Sequence, residues 1–297
     1  MTRQVLEYLK YHKNNALMWE IDTHLDAAVY FADKHHLDIE QRYWLSFLTA
    51  ICETTPTSLY LFHHFPALKT TNPEHIADFC KRRKDAMAFQ YDVRWILYSI
   101  GDVVASYKQI IGNMRQADVL PRLAVGNTQE ERFKTFCQRF RCFKFGNYVL
   151  MLYTELLHYL CGIDFEASID PADNHSVRSG LVYACGYEDF IKCVKKGSKP
   201  TSTENNLLRA ELAEIRAEVQ KLNILPRHKR MWAIETTLCT YNKTKHGKRY
   251  LGFYKNRQER EIKRLVEYTR AIGENYDWSE LIEYHNNWGK WNNNYLL

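Results

Sequence analysis

His175 and Arg178 stand three residues apart, just after a loop that carries Asp164, Asp170 and Asp173. On a helix that opens there they share a face of the first turn, where free N–H groups and the dipole draw anions. Other polar residues sit at similar breaks: Glu53-Thr54-Thr55, Gln90 with Asp92 and Arg94, and Lys144 just ahead of a strongly apolar stretch. Inside that stretch stands Glu155, a carboxylate that needs a polar cavity or a base such as His158, His175 or Arg178. Each residue alone has an ordinary use: Asp92 and Asp173 as N-caps, Arg94 and Arg178 in ion pairs, His175 as a hydrogen-bonding helix opener. Together, cations beside carboxylates in segments otherwise built for burial suit a phosphorylated ligand held next to a general base.

Positioning these residues falls to helices. Residues 148–161 place Val149, Leu152, Leu156, Tyr159 and Leu160 at spacings of three and four, with Leu150, Met151, Leu157 and Cys161 on the other sides. That pattern predicts a helix buried nearly all round, ended by Gly162 in the left-handed conformation. Upstream, 3–12 and 21–36 read as helices, Asp38 and Gln41 form a capping box, Pro56 opens a helix over 57–65, and Asn72-Pro73 starts another. Lys81-Arg82-Arg83-Lys84 is a solvated helix end or a phosphate contact. A long helix patterned over 93–111, with Asp92 as its N-cap, a loop over 112–128 and a helix over 129–140 lead to the central stretch. Residues 195–203 read as a linker and 204–223 as a bridging or partner-binding helix. Beyond Pro226 aromatic residues alternate with Lys229, Arg230, Lys248 and Arg249; 250–253 reads as a short strand or as helix, and helices over 256–271 and 277–286 follow. The expected fold is mainly α: a multi-helical core over 1–195, a linker and bridging helix over 196–225, and a smaller basic α(+β) module over 226–297.

Composition sets bounds on function. The 297 residues, 45% apolar and 26% charged, are those of an ordinary globular protein. The 20 Tyr and 7 Trp suit dense packing of rings or stacking on planar ligands, without choosing between them. Lys+Arg balance Asp+Glu at 27 each over 1–224 but lead 14 to 8 from residue 225 onward, so the +6 excess lies in the last quarter, a footprint for a polyanion. Neither a signal peptide core nor a stretch of about 18 uncharged apolar residues is present, so no membrane association is expected. Eight scattered cysteines without a C-x-x-C pair imply reduced thiols in a cytoplasmic compartment. His35-His36, His63-His64 and Cys137-x4-Cys142 lack metal-site spacing, and P-loop, G-x-G-x-x-G and G-x-S-x-G motifs are missing. No cofactor is called for, with Mg²⁺ an optional aid.

Several separated blocks resemble one family. Phe89-Gln90-Tyr91-Asp92-x-Arg94, Lys144-Phe145-Gly146 and Asn174-His175-Ser176-x-Arg178-Ser179-Gly180-Leu181 look like the bacteriophage amino acid:DNA transferases, also described as α-glutamyl/putrescinyl-thymine pyrophosphorylases. Tyr43-Trp44-Leu45-Ser46-Phe47-Leu48 followed by Pro56-Thr57 fits the same pattern, the likeness covers 38–190, and Trp232-Ala233-Ile234-Glu235-Thr236 resembles segments found after it. The family pattern has Asn where Ser179 stands and a basic residue where Asn147 stands. The resemblance implies a DNA-glycosylase-like helical core, related to the helical domain of 5-hydroxymethyluracil DNA kinases.

It also implies a reaction. A kinase phosphorylates or pyrophosphorylates 5-hydroxymethyluracil in double-stranded DNA, and the transferase replaces that group with the amine of an amino acid or polyamine, in the host cytoplasm. On that footing Arg94, Lys144, Arg178 and Gln90 would hold the leaving group or DNA phosphate, and Lys229, Arg230, Lys248 and Arg249 would track the backbone. His175 would be the general acid/base, with Glu155 or Asp173 orienting it or holding the amine. The missing P-loop agrees with the transferase step rather than the kinase step. Two other readings stay open: a non-catalytic helical DNA-binding protein or kinase-associated scaffold, and a small-molecule enzyme whose basic tail only solubilises it.

Overall fold

A computed structural model describes residues 2–89, 94–187 and 198–288, with Arg94 and Trp95 described as backbone only. Among these residues there are fourteen α-helices and no strand. The chain forms two compact units, one from 1–22 with 168–253, the other from 23–167 with 254–296.

The second unit begins with α2 (Thr23–Lys34), α3 (Ile39–Cys52), α4 (Thr55–His64) and α5 (Pro73–Arg82); α1 (Arg3–Leu17) belongs to the first unit. The local start signals act as expected. Asp38 and Gln41 close a reciprocal capping box on α3, and Asn72 accepts N–H bonds from Glu74 and His75 ahead of Pro73. Of the four cations at 81–84, Arg83 turns inward: it pairs with Glu274 at 3.0 Å and lies 3.9 Å over the Phe79 ring. The single helix expected over 93–111 is instead a 3-10 run, Arg94–Ser99, followed by α6 (Ile100–Ile111). Ser99, at φ −138° and ψ 22°, leaves helical space and restarts the ladder. Its proposed cap, Asp92, lies outside the described residues. The stretch 112–128, expected as loop, contains α7 (Gln116–Leu123). Its N-terminal groups are capped from afar: the Glu40 carboxylate accepts the N–H groups of Gln116 and Ala117, both at 2.9 Å. No local pattern in 112–128 announces that cap.

Next come α8 (Gln129–Arg139) and α9 (Asn147–Cys161). As predicted, α9 is buried nearly all round and stops at Gly162, φ 74°. It lies against α3, and the aromatic content concentrates there. Phe47 stacks between Tyr107 (4.0 Å, 18°) and Phe145 (5.5 Å, 12°), while Tyr153 meets it edge-on at 6.1 Å. The Tyr107 and Tyr153 hydroxyls lie 2.9 Å apart, and Tyr107 donates to Gln116 Oε1 at 2.8 Å, so the buried phenols are satisfied. Many of the rings therefore serve packing.

The first unit packs α1 with α10 (His175–Cys185), α11 (Ser202–Gln220), a 3-10 turn at Pro226–Lys229, and α12 (Met231–Lys245). Asn174 caps α10 by accepting from Val177 N–H at 3.0 Å, so Asp173, the expected cap, is one residue outside it. Thr201 and Glu204 box the start of α11. Gly180 sets the α10–α12 crossing: a Cβ there would lie 2.4 Å from the Leu238 carbonyl oxygen. Backbone cannot swing aside as a side-chain tip can. Gly180→Ala is accordingly expected to cost about 3 kcal/mol, read as a lower midpoint in chemical denaturation; a variant as stable as the parent would mean that the helices do not approach so closely.

The basic segment ends in a turn rather than a strand. Gly252, φ 93°, breaks any extended run over 250–253, and α13 (Phe253–Ala271) starts there. α13, apart from its first residue, and α14 (Ser279–Asn286) belong to the second unit.

Candidate active site

Among the described residues, polar chemistry gathers in both units. In the first unit it gathers at the junction ahead of α10. Asp170 accepts the Ala172 N–H at 2.9 Å and both Arg209 guanidinium arms, and the bond from Arg209 holds its carboxyl below the usual carboxylate range. Arg178 is 3% exposed and donates to the carbonyls of Pro171 (2.8 Å), Ala172 (2.8 Å) and Ser198 (3.2 Å). These bonds tie the buried guanidinium to the backbone of the loop ahead of α10. Two cations staple one loop, and the staple fixes where α10 begins. His175 and Asp173, both exposed, project from that junction. An accessible imidazole on an immobile turn can accept or deliver a proton without reorganising its support.

The basic residues of 226–253 lie in the same unit. Lys229 and Gln220 exchange two bonds, Nζ to the Gln220 carbonyl at 3.0 Å and Gln220 Nε2 to the Lys229 carbonyl at 2.8 Å. Arg230 lies 5.2 Å over Trp232 and Arg249 4.0 Å over Phe253, while Lys248 is exposed. Two expected residues belong to the other unit. Lys144 is exposed at φ 60°, 5.6 Å over the Phe143 ring, and Glu155 is 4% exposed in the middle of α9. Gln90 and the Arg94 side chain lie outside the described residues.

In the second unit a small half-open hollow forms where α3 gives way to α4, facing α13. His24, Glu53, Thr54 and Thr55 line one side, and Tyr254, Arg257, Gln258 and Glu261 the other. Glu53 takes a left-handed conformation, φ 53°, uncommon for a residue with a side chain, and its Oε1 accepts the Tyr148 hydroxyl. Thr54 donates to the Ala88 carbonyl at 2.7 Å, and Thr57 Oγ1 accepts the Ala88 N–H at 2.9 Å, which fixes the turn. Arg257 pairs with Glu261 at 2.7 Å, and burial outweighs that pair in pushing the Glu261 carboxyl up. The sequence marked Glu53-Thr54-Thr55 as polar residues at a break; the α13 side carried no signal, because its residues read as a plain charged helix. Among the described residues no three His, Cys, Asp or Glu side chains gather as metal ligands, and no helix is long and apolar enough to cross a membrane.

No curated protein and no solved structure gives a match. The family model described as amino acid:DNA transferase matches residues 21–250, a span that takes in the α3–α4 turn, the Lys144-Phe145-Gly146 block, the α10 junction and most of the basic segment. A match running through more than half of the chain and all of those blocks settles kinship: the chain belongs to the amino acid:DNA transferase family.

Proposed function

We propose that this protein replaces the phosphate or pyrophosphate of a phosphorylated 5-hydroxymethyluracil in double-stranded DNA with the amine of an amino acid or polyamine. Family membership over residues 21–250 is the observation that carries the reading. The donor ammonium gives up a proton, its nitrogen forms a C–N bond to the exocyclic methylene, and the C–O bond breaks, the leaving group taking the electron pair. Direct displacement and expulsion followed by trapping of a methide balance identically. No oxidant or reductant enters, so no redox cofactor is needed.

His175, accessible at the α10 junction, takes the proton, with Asp173 beside it on the loop. Arg178 acts through the loop whose carbonyls it holds. Lys144, Gln90, Arg94, Lys229, Arg230, Lys248 and Arg249 supply the leaving-group and backbone contacts, and the base is turned out of the duplex to reach the site. A DNA kinase supplies the phosphorylated base, and the reaction takes place in the host cytoplasm.

The test is incubation of the full chain with duplex DNA containing 5-phosphomethyldeoxyuridine or its pyrophosphate, a mixture of amino acids and putrescine, then mass spectrometry of the digested nucleosides. A new nucleoside heavier by the donor and lacking phosphate is expected. Retardation of the duplex in a gel without any new nucleoside mass would overturn the reading in favour of a non-catalytic DNA-binding protein.

A further inference from the structure

We propose that the turn between α12 and α13 is the wedge that opens the duplex, Tyr250 and Leu251 entering the base stack where the target nucleotide leaves it. The proposal rests on the transferase reading for the turned-out base, while its shape and charge come from the turn itself. The whole segment lies in the first unit. The end of α12 closes with a doubly bonded cap: Gly247, φ 67°, donates its N–H to the Thr244 carbonyl at 3.0 Å, and the Lys248 N–H reaches the Lys243 carbonyl at 2.8 Å. Just beyond, the Phe253 N–H bonds the Tyr250 carbonyl at 3.1 Å with Gly252 at φ 93°, which makes 250–253 a tight turn with Leu251 at its corner. The stretch from Lys248 to Leu251 is therefore held at both ends.

What that stretch presents is not an ordinary solvated surface. Tyr250 is 51% exposed and Leu251 44%. Apolar side chains scattered singly over a surface need no explanation; an adjacent pair at the corner of a fixed turn, with cations on its approach, serves neither solubility nor the core. The cap carries a second anomaly. Its third-from-last helical position and the position two past the cap commonly close on each other through an apolar contact, and here both are lysine, Lys243 and Lys248. Arg249 follows, its guanidinium 4.0 Å over the Phe253 ring, and the Tyr250 ring meets the same Phe253 edge-on at 5.6 Å. One ring thus props both the cation and the exposed aromatic.

Cations beside a protruding apolar tip match a duplex that is being opened. It offers phosphates on the outside and, once a base is turned out, an apolar slot between the neighbours of the departed base. Lys243, Lys248 and Arg249 answer the first, Tyr250 and Leu251 the second, and an aromatic face restores stacking that the departing base gives up. An anionic lipid surface shares this chemistry, but stable attachment to it takes a broad apolar face, which two side chains do not supply. Membership of an amino acid:DNA transferase family favours DNA over lipid. The step assigned to this turn is the opening of the stack, distinct from the proton transfer assigned to His175.

The test uses the full chain and a duplex holding one 5-phosphomethyldeoxyuridine with 2-aminopurine as its neighbour, first without an amine donor. The parent is expected to raise the 2-aminopurine fluorescence as stacking is broken. The double variant Tyr250→Ser, Leu251→Ser should lower that rise, and slow transfer on the paired duplex, by about tenfold or more. Both side chains are exposed, so the variant should keep the parent's circular-dichroism spectrum and melting curve. Placing the target opposite an abasic site removes its pairing partner and lowers the cost of turning it out. There the double variant should transfer to within about threefold of the parent, a rescue that damage to the fold would not allow. No fluorescence rise with the parent, an equal rise with the well-folded variant, or a transfer defect of the same size on both duplexes overturns the proposal. Loss of binding to phosphatidylserine vesicles as the sole effect of the double substitution also overturns it, and assigns the turn to a membrane surface. The two readings fail separately. Equal transfer by parent and variant on the paired duplex removes the wedge and leaves the transferase standing; duplex opening that depends on Tyr250 and Leu251, without any new nucleoside, does the reverse.

Discussion

Replacing His175 by alanine is expected to slow amine transfer by roughly 10²- to 10⁴-fold, the usual worth of a positioned general base, while the helical circular-dichroism spectrum and melting curve stay those of the parent. The expectation rests on a separation of duties at the α10 junction. Asn174 caps the helix, Arg178 and Arg209 hold the preceding loop, and Gly180 and Leu181 make the crossing and the core beneath it. His175 is exposed and none of those supports runs through its ring. On the proposed role, removing the imidazole takes away the proton acceptor while these supports, made by other residues, stay in place. Added imidazole should restore part of the rate, which a merely structural role would not allow. Arg178→Ala provides the contrast. Three backbone carbonyls lose a buried cation, so activity and melting temperature should fall together. Full transfer by His175→Ala would remove the residue from the mechanism.

The same junction shows how far the sequence could be read. Local signals were legible because their physics is local: Asp38 with Gln41, Asn72 with Pro73, and Gly162 in the left-handed region each act within a few residues. α7 was hidden because its cap is the carboxylate of Glu40, some 76 residues earlier. The break at Ser99 was hidden because the apolar spacing runs straight through it, and periodicity reports which face is buried, not whether the ladder is continuous. Within the motif Asn174-His175-Ser176-x-Arg178-Ser179-Gly180-Leu181 the residue types gave no hint of how labour is divided. Arg178, read as an ion-pair partner or a phosphate contact, holds loop carbonyls, and Gly180 is where two backbones touch. The hollow was half visible. Glu53-Thr54-Thr55 stood out as polar residues at a break, but a wall from α13 two hundred residues later leaves no trace in local pattern.

Acid is expected to unfold the first unit well before carboxylate titration explains it. His12 is buried on α1 between Thr237 Oγ1 (2.7 Å) and the His228 carbonyl (2.9 Å), and burial, only partly opposed by that carbonyl bond, pulls it down to about 4. His228, in the 3-10 turn before α12, is 1% exposed with no hydrogen-bond partner on either ring nitrogen. Burial first, then the Arg227 charge and His12, pull it down to about 2. Both values lie below the unfolded 6.5, so as pH falls the unfolded chain takes up protons that the folded unit refuses. Stability is intact above pH 6.5 and drains away below it, at about 1.4 kcal/mol per pH unit for each ring. Between pH 7 and 4 the two together could remove roughly 6 kcal/mol, a large share of an ordinary domain's stability. His228→Phe separates this from general acid lability. The ring already meets Trp19 edge-on at 6.1 Å, so phenylalanine keeps the packing and removes two nitrogens that gain nothing from being buried. It should raise stability by about 1 kcal/mol at pH 7 and by more at pH 5, roughly halving the slope of unfolding free energy against pH. Denaturation series followed by hydrogen exchange at α12 amides would measure that slope. An unchanged slope in the variant would mean that His228 is hydrated in solution and titrates as it does in the unfolded chain.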